Sequence, residues 1–197
     1  ADAKFVKLAD YAIAQVDKAA VLEKLLQQPW SKSQEKNSYL LDTVLRGAEM
    51  ALESAQAPLQ VHFDAINVLC GQDTLNEVVH AIVALEPEDV WLKKAVASLR
   101  AGSPSSAHLA NLLLEKTKDS SLADVFRMEY LAALHCAARP DFAEGIRALL
   151  IDKDLKPQWQ PATHSDITAE WVNGFIENPW GDQNSDAAHP LADLGRH

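Results

Sequence analysis

The stretch at residues 141–159 reads DFAEGIRALLIDKDLKPQW. The apolar residues in its first half recur at helical spacing, which predicts a short helix around residues 142–151. Within this helix, Gly145 would let a neighbouring helix approach closely, and Glu144 is placed to cap a helix or to pair with a nearby cation. The alternative interpretation is that these two residues take part in binding a ligand.

The chain on both sides of this stretch reads as a series of helices. Alanine and leucine, which both favour helix, dominate the sequence. The 7 glycines are widely scattered, so no phosphate-cradling loop of the GxGxxG or GxxxxGKS/T kind is present. Only residues 11–13 (Tyr-Ala-Ile) suggest a strand. The apolar period and the capping residues predict helices at residues 18–28, 35–54, from Thr74 to about 85, from Pro87 to about 99, from Ser103-Pro104 to about 116, at 122–138 and at 166–177.

Composition and charge limit the possible partners. The 197 residues include 18 Lys and Arg and 28 Asp and Glu, which gives a formal net charge of −10. With 48% apolar and 23% charged residues, the balance is that of an ordinary globular domain and excludes a disordered chain. Net acidity argues against nucleic acid as the main partner, because binding phosphates needs a basic face. No apolar run reaches the ~18 residues of a membrane span, so we expect no membrane partner.

Cysteine usage and the first residues bear on the compartment. Cys70 and Cys136 are isolated thiols, too few for a disulfide framework, which favours a reducing compartment. The start of the chain (Ala-Asp-Ala-Lys) has no basic region followed by an apolar run, so we expect no signal peptide. It also lacks an initiator methionine, and we expect the chain to have been processed or cut from a longer one.

Residue spacing argues against several kinds of catalytic centre. His135 and Cys136 are neighbours on a helix and point about 100° apart, so they cannot form a Cys–His dyad. The 7 histidines show no HxxxH or HExxH spacing and no cysteine pair lies near them, so we expect no metal site. No GxSxG elbow of a serine hydrolase is present. The 5 tryptophans are interpreted as core or lid packing rather than as stacking platforms.

Glu129 interrupts the apolar stripe of the helix at 122–138, between Phe126 and Ala133. A carboxylate within apolar packing has to be paired, and Arg147 in the following helix is the expected partner. The alternative is a site carboxylate with a raised pKa. On the first interpretation, Glu129→Ala would leave a buried guanidinium unpaired and destabilise the fold by roughly 3 kcal/mol or more.

The 141–159 stretch resembles the DFxEGxRAxLIDKDxxPxW signature of the 3-hydroxyisobutyryl-CoA hydrolases. That signature is a specialised form of the EGxxAFxEKRxP segment of the enoyl-CoA hydratase/isomerase (crotonase) superfamily. Residues 103–106 (SPSS) resemble the SPxS helix start of the same hydrolases. Residues 8–11 (LADY) resemble the GLADxxV segment that closes the family's core, with Lys7 where glycine is usual. The resemblance is strong over residues 100–160 and weak over residues 30–90.

The resemblance implies a mainly α chain that is the C-terminal helical region of a ClpP/crotonase-type fold. Residues 1–14 would be the end of the crotonase core (a helix end and a short strand), residues 15–180 the helical C-terminal region, and residues 181–197 a loose tail. In the family, a β/α spiral core precedes this region and carries the glycine-rich oxyanion loops and the acid/base carboxylates. That core is absent from this chain, so we expect no catalytic residue here and no activity from the chain alone.

The function that the resemblance implies is hydrolysis of acyl-CoA thioesters, especially 3-hydroxyisobutyryl-CoA of valine breakdown. Water would attack the thioester carbonyl, backbone N–H groups would stabilise the oxyanion and a carboxylate would give acid/base help, all from the core. The helical region would cover the acyl pocket, position CoA and support contacts between subunits. Expected partners are the acyl-CoA substrate, the core in the same polypeptide or a companion chain, and a second copy of the chain. CoA belongs to the substrate, so no cofactor is expected; the compartment would be a bacterial cytoplasm or the mitochondrial matrix.

Three residues correspond to binding positions of the family. Leu149 matches the aromatic position near the CoA adenine, Lys153 matches the lysine of EKR, and Lys156 follows on the same connection. On an acidic protein this lysine pair suits a polyanionic ligand, unless both are solvated surface lysines. The remaining residues singled out are expected to have structural roles: Glu129, Glu144, Gly145, Arg147, Asp152 and Trp159.

Two other functions remain open from the sequence. One is an enoyl-CoA hydratase or isomerase of the same superfamily, although LIDKD followed by PxW and the long helical part favour the hydrolase. The other is a stand-alone helical interaction module with no chemistry. A helical region that has lost contact with its core should expose a large apolar patch, whereas a monomeric module should present a polar surface.

Overall fold

The chain folds into short α-helices joined by turns. The computed structural model describes residues 1–52, 57–181 and 189–195, and this part of the chain contains α-helices and no strand, which confirms the mainly α prediction there. The helices are α1 (Asp2–Phe5), α2 (Lys18–Leu26), α3 (Gln34–Arg46), α4 (Pro58–Val61), α5 (Phe63–Cys70), α6 (Leu75–Val83), α7 (Val90–Ala101), α8 (Pro104–Thr117), α9 (Leu122–Ala138), α10 (Pro140–Ile146) and α11 (Ala169–Asn173). Short 3-10 turns lie at Gln15–Asp17 and His164–Asp166, and a π-helical turn at Arg147–Ile151.

The chain divides into two compact units, residues 1–68 and residues 69–197. In the first unit α1 packs against α4 and α2 against α3, and the rings of Phe5 and Phe63 meet edge to face with centroids 5.0 Å apart. The predicted strand at residues 11–13 is not formed, because the hydrogen bond from Met50 N–H to Ala12 O (2.9 Å) is not continued as a ladder. The boundary after residue 14 remains a prediction, since it concerns the end of a preceding core.

The core of the second unit lies where α8 and α9 meet the end of α11. Leu109, Ala132 and Phe175 are buried there. The indole N–H of Trp171 donates to the buried hydroxyl of Ser105 (3.1 Å), which ties α11 to the first turn of α8. Partly buried apolar residues complete the cluster: Leu113, Cys136, Trp171 and Ile176.

Capping residues begin the helices of the second unit as the sequence predicts. Thr74 and Glu77 form a reciprocal capping box at α6, in which Thr74 Oγ1 accepts from Glu77 N–H (3.3 Å) and Glu77 Oε2 accepts from Thr74 N–H (2.9 Å). Ser103 caps α8 and Pro104 occupies its first turn. These side chains satisfy backbone donors that the helix itself leaves unpaired.

Three helices differ in extent from the prediction. Helix α7 begins at Val90 rather than at Pro87, because Asp89 supplies the cap by accepting from the N–H of Leu92 (2.9 Å). Helix α3 ends at Arg46 instead of reaching residue 54, before a glycine that weakens helix propagation; residues 53–56 lie outside the described part. Helix α11 covers only 169–173 of the predicted 166–177.

Residues 189–195, which belong to the tail predicted to be loose, lie against α9. Arg127 of α9 donates to the carbonyl oxygens of Leu191 (3.0 Å) and Ala192 (3.2 Å). His189 is buried, and its Nε2 lies 3.1 Å from the carbonyl oxygen of Arg127. The guanidinium of Arg127 therefore satisfies backbone carbonyl groups in the turn at residues 189–195. The composition of the tail alone does not indicate this contact. Residues 182–188 and 196–197 lie outside the described residues.

Candidate functional site

Arg147 is the centre of the 141–159 stretch. It opens the π-helical turn after α10 and binds Glu144 through two parallel hydrogen bonds, Nε to Oε2 (2.9 Å) and Nη2 to Oε1 (2.8 Å). Its Nη1 donates to Asp152 Oδ2 (2.6 Å) and to Asp154 Oδ2 (2.8 Å). One guanidinium thus holds three carboxylates, one from the helix and two from the connection that follows it.

The charges of this cluster reinforce one another. The hydrogen bonds from Arg147, followed by the backbone N–H of Gln158 (2.7 Å), lower the pKa of Glu144 from 4.5 to about 2. The same contacts raise the pKa of Arg147 above its ordinary value. Hydrogen bonding to Arg147 also lowers the pKa of Asp154, with a smaller contribution from the backbone of Lys156. All of these groups are therefore charged at neutral pH.

The connection at residues 152–156 has a fixed, unusual backbone. Lys153 and Leu155 both have positive φ angles, 54° and 55°, a region that non-glycine residues rarely adopt. The N–H of Leu155 donates to Ala148 O (3.1 Å), and the N–H of Lys156 donates to Asp154 Oδ1 (2.9 Å). Arg147 and these bonds together hold the turn in place.

Trp159, at the end of the stretch, packs against Gly145 of α10. Its indole N–H donates to the carbonyl oxygen of Ala101 at the end of α7 (2.9 Å). A Cβ atom at Gly145 would lie 3.3 Å from Cη2 of this indole, tighter than most such contacts. The close approach predicted for Gly145 is therefore that of the tryptophan ring, and not of another helix.

Asp141 ties the stretch to the start of α8. Its Oδ2 accepts from the hydroxyl of Ser103 (2.6 Å), and its Oδ1 accepts from the N–H of Gln160 (2.8 Å). Because Ser103 is also the cap of α8, this carboxylate fixes α8, α10 and the end of the stretch against one another. Sequence reasoning missed this link, although the polar residue at each end of the stretch was a signal for it.

Asp141, Gly145 and Trp159 of this stretch line an apolar cavity of about 580 Å³ in the second unit. Apolar side chains of α10, the π-helical turn and the connection line it, among them Phe142, Leu149 and Leu155. Trp171 and Phe175 line it as well. Its volume lies within the ~300–1,000 Å³ of small-molecule sites, which makes it the candidate binding site of this unit.

The structure brings most of the predicted residues together. Leu149 lines the cavity with its side chain 61% exposed. The side chains of Lys153 and Lys156 are exposed and do not belong to the lining, although they flank Leu155, which does. The predicted structural residues of the stretch lie in the cluster around Arg147 and Trp159: Glu144, Gly145, Arg147, Asp152 and Trp159.

The predicted pairing of Glu129 with Arg147 is wrong. Glu129 is exposed on α9, as are Phe126 (48% exposed) and Leu134 (40% exposed). The buried residue of α9 is Ala132. Arg147 pairs instead with Glu144, Asp152 and Asp154.

Glu129→Ala is accordingly expected to change the free energy of unfolding by less than about 0.5 kcal/mol, as for other exposed sites. Urea unfolding of the native chain and the variant, followed by circular dichroism, measures the difference. Glu144→Ala is the matched comparison and should lower the midpoint, since it removes both hydrogen bonds from Arg147. Equal midpoints for the two variants would contradict this assignment.

Two histidines of the second unit form a half-buried pair that the sequence did not indicate. The rings of His108 (α8) and His164 lie with centroids 5.5 Å apart. His108 Nε2 and His164 Nδ1 are buried without a hydrogen-bond partner among the described groups. Burial lowers the pKa of both imidazoles, and for His108 the charge of His164 lowers the pKa further. Both are therefore neutral in the folded protein at neutral pH.

The stability of the chain should fall as the pH drops below about 6.5, the ordinary histidine value. The folded pKa values are lower than the unfolded ones, so protons bind preferentially to the unfolded chain below that pH. Thermal unfolding between pH 8 and pH 5 measures this effect. His164→Phe keeps a ring at the site and should show a smaller decrease in Tm over the same range. An identical pH dependence for the two proteins would refute the assignment.

Cys136 and Arg139 complete the cavity from the end of α9. Burial raises the pKa of the Cys136 thiol, and the Nε2 atom of its neighbour His135 lies 2.9 Å from Glu177 O.

The described residues contain no group of three or more His, Cys, Asp or Glu side chains that could hold a metal ion. Within the same ranges, no helix has both the length and the apolar character needed to cross a membrane.

The family of the chain follows from its similarity to known proteins. The enoyl-CoA hydratase/isomerase family matches residues 1–176, and the chain belongs to this family. It is similar to the mitochondrial 3-hydroxyisobutyryl-CoA hydrolase of Gallus gallus, with 31% identity over 141 residues, which are 72% of this chain and 34% of that protein. The same-named protein of Danio rerio is 31% identical over 159 residues, 81% of this chain and 41% of that protein. The predicted resemblance of the chain to these hydrolases is confirmed, and the chain spans between a third and about two fifths of their length.

Solved structures show the same fold relationship. A carnitinyl-CoA dehydratase from Mycobacterium thermoresistibile superposes with a TM-score of 0.67 at 21% identity, covering 89% of this chain and 46% of the other. An enoyl-CoA hydratase from Rhodobacter sphaeroides 2.4.1 gives a TM-score of 0.66 at 23% identity, with the same coverage. At such identities the likeness concerns the fold alone.

Proposed function

We propose that this chain is the C-terminal helical part of an acyl-CoA thioester hydrolase similar to 3-hydroxyisobutyryl-CoA hydrolase, which acts in valine breakdown. The observation that carries the proposal is the 141–159 stretch, in which Arg147 binds the carboxylate of Asp154 in the connection and Trp159 lines an apolar cavity. Curated relatives with that enzyme name match most of this chain. In this proposal the wall covers the acyl pocket of the complete enzyme.

The reactive groups would come from a β/α core that precedes the helical part, in the same polypeptide or in a companion chain. Exposed apolar side chains support the proposal that another part of the enzyme covers this chain, because isolated monomers rarely expose large apolar patches. They include Leu122 and Phe126 on α9 and Ile151 at the end of the π-helical turn. A helical module that acts alone would bury or replace such residues.

The lysine pair would contribute to binding of the CoA phosphates. Lys153 and Lys156 flank Leu155 at the cavity, and the Arg147 cluster fixes the backbone that carries them. In the complete enzyme we expect Lys153→Ala and Lys156→Ala each to raise KM for acyl-CoA substrates while kcat changes little. A steady-state assay measures both constants; unaltered KM in both variants would remove these lysines from the proposed site.

The names of the relatives suit a protein of the mitochondrial matrix, which is the compartment we propose for a eukaryotic source. A bacterial source would place it in the cytoplasm. Both compartments are reducing and agree with the free thiols Cys70 and Cys136.

The experiment that tests the proposal uses the complete product of the coding sequence. Its purified form is assayed with 3-hydroxyisobutyryl-CoA for release of the CoA thiol and with crotonyl-CoA for loss of the enoyl absorbance. We expect thiol release from the first substrate and little hydration of the second. Efficient hydration without thiol release would assign the protein to the hydratases of the same family instead.

A further inference from the structure

The cavity contains a positive charge that the proposed hydrolysis does not use. Among the described residues that line it, Arg139 is the one cationic side chain. The rest of the lining is mainly apolar, and the chain as a whole is acidic, with a net charge of −10. Arg139 is partly buried, and a cation beside apolar side chains is stabilised by a partner of opposite charge.

Arg139 is held by aromatic faces and not by an acid. Its Cζ atom lies 3.6 Å from the ring centroid of Phe175 and 4.4 Å from that of Trp171. Its Nη1 donates to the carbonyl oxygen of Trp171 (3.3 Å). A guanidinium has five N–H donors, so most of them have no protein acceptor in the described part of the chain. The stacking fixes the plane of the group and leaves those donors for another molecule.

The acids near the cavity do not neutralise this charge. Asp141 lines the cavity, where it accepts hydrogen bonds from Ser103 and from the N–H of Gln160 and forms no ion pair with Arg139 among the described contacts. Glu177 acts on Arg139 only through space. Burial lowers the pKa of Arg139, and the charges of Cys136 and Glu177 offset part of that effect.

We propose that the cavity binds a small amphiphile with an apolar chain and a carboxylate head that pairs with Arg139. The apolar chain would lie against Phe142, Leu149 and Leu150, and the planar carboxylate matches the fork of the guanidinium. The volume of about 580 Å³ accommodates a ligand of this size. This proposal goes beyond thioester hydrolysis, because it concerns recognition of a carboxylate and not the reaction of a thioester. A free carboxylic acid and an acyl group that ends in a carboxylate both present that head group.

Calorimetric titration of the 197-residue chain with three probes of equal chain length tests the charge requirement. The probes are decanoate, decan-1-ol and decyltrimethylammonium. We expect one decanoate per chain, about tenfold weaker binding of the alcohol, and no measurable binding of the cation. Shortening the carboxylate to octanoate and hexanoate should weaken binding by up to about fourfold per methylene lost.

Two kinds of variant locate the site. Arg139→Met keeps an apolar contact with the two rings and should reduce decanoate binding to the level of the alcohol. Leu150→Glu places a negative charge on a side chain that lines the cavity and is 63% exposed, so it should fold and weaken decanoate at least tenfold. Ile151→Glu is the matched control, because Ile151 is 69% exposed and does not line the cavity.

Equal affinities for decanoate and decan-1-ol would overturn the proposal, as would equal effects of Leu150→Glu and Ile151→Glu. None of these measurements involves thioester turnover. Failure of the hydrolase proposal and failure of this one are therefore distinguishable.

Discussion

Replacing Trp159 by alanine is expected to destabilise the chain by about 3 kcal/mol, the lower end of the range for large aromatic truncations. The ring is partly exposed, so the loss should not reach the maximum. Its six-membered ring packs on Gly145, and its N–H donates to Ala101 O (2.9 Å). Removing it opens the cavity wall and releases the end of the stretch from α7.

Urea unfolding monitored by far-ultraviolet circular dichroism measures this loss. Trp30→Ala is the matched control, because its indole also donates to a backbone carbonyl, that of Leu25 (2.9 Å), but the side chain is 45% exposed and lies in the first unit. We expect the control to have less than half the effect. Trp159→Phe should recover part of the loss by restoring the packing without the hydrogen bond. A Trp159→Ala effect no larger than that of Trp30→Ala would contradict the assigned role.

Replacing Arg147 by methionine should lower Tm on the order of 5 °C at pH 7. The substitution leaves Glu144, Asp152 and Asp154 close together without their shared cation, so the carboxylates repel one another. It also releases the connection at 152–156. Arg46→Met is the matched control, since Arg46 pairs with a single carboxylate, that of Asp42, at the surface and should matter little.

The effect of Arg147→Met should depend on pH in a defined direction. The folded pKa of Glu144 is about 2 against an ordinary 4.5, so its pairing stabilises the fold fully above pH 4.5. That contribution is lost as the pH falls from 4.5 towards 2. The Tm difference between the native chain and Arg147→Met should therefore shrink over this interval. A difference that stays constant from pH 7 to pH 2 would contradict the role of the ion pair.

Local signals in the sequence were sufficient to place most helices. The Thr74 and Glu77 capping box and the Ser103-Pro104 start lie within one turn of what they specify, so no distant contact can override them easily. The strand at 11–13 failed for the opposite reason, because a strand needs a pairing partner from elsewhere in the chain. The contact of residues 189–195 with Arg127 also depends on residues far apart in the chain, so the sequence does not predict it.

The candidate site was predictable as a segment and not as a set of contacts. The resemblance of the 141–159 stretch predicts the segment, but Arg147 was expected to pair with Glu129 because that carboxylate falls in the apolar stripe of α9. Glu129 is exposed, and the π-helical turn that begins at Arg147 leads into the connection whose Asp152 and Asp154 bind the guanidinium. Arg139 gave no sequence signal, since its role depends on aromatic rings more than thirty positions away.

We propose that these helices form a wall of an acyl-CoA site whose reactive groups lie outside the chain. The most direct test incubates the purified 197-residue chain with 3-hydroxyisobutyryl-CoA and follows release of the CoA thiol across a gel-filtration peak. We expect thiol release no faster than in buffer. Turnover that co-elutes with the chain, in the absence of any second protein, would contradict it.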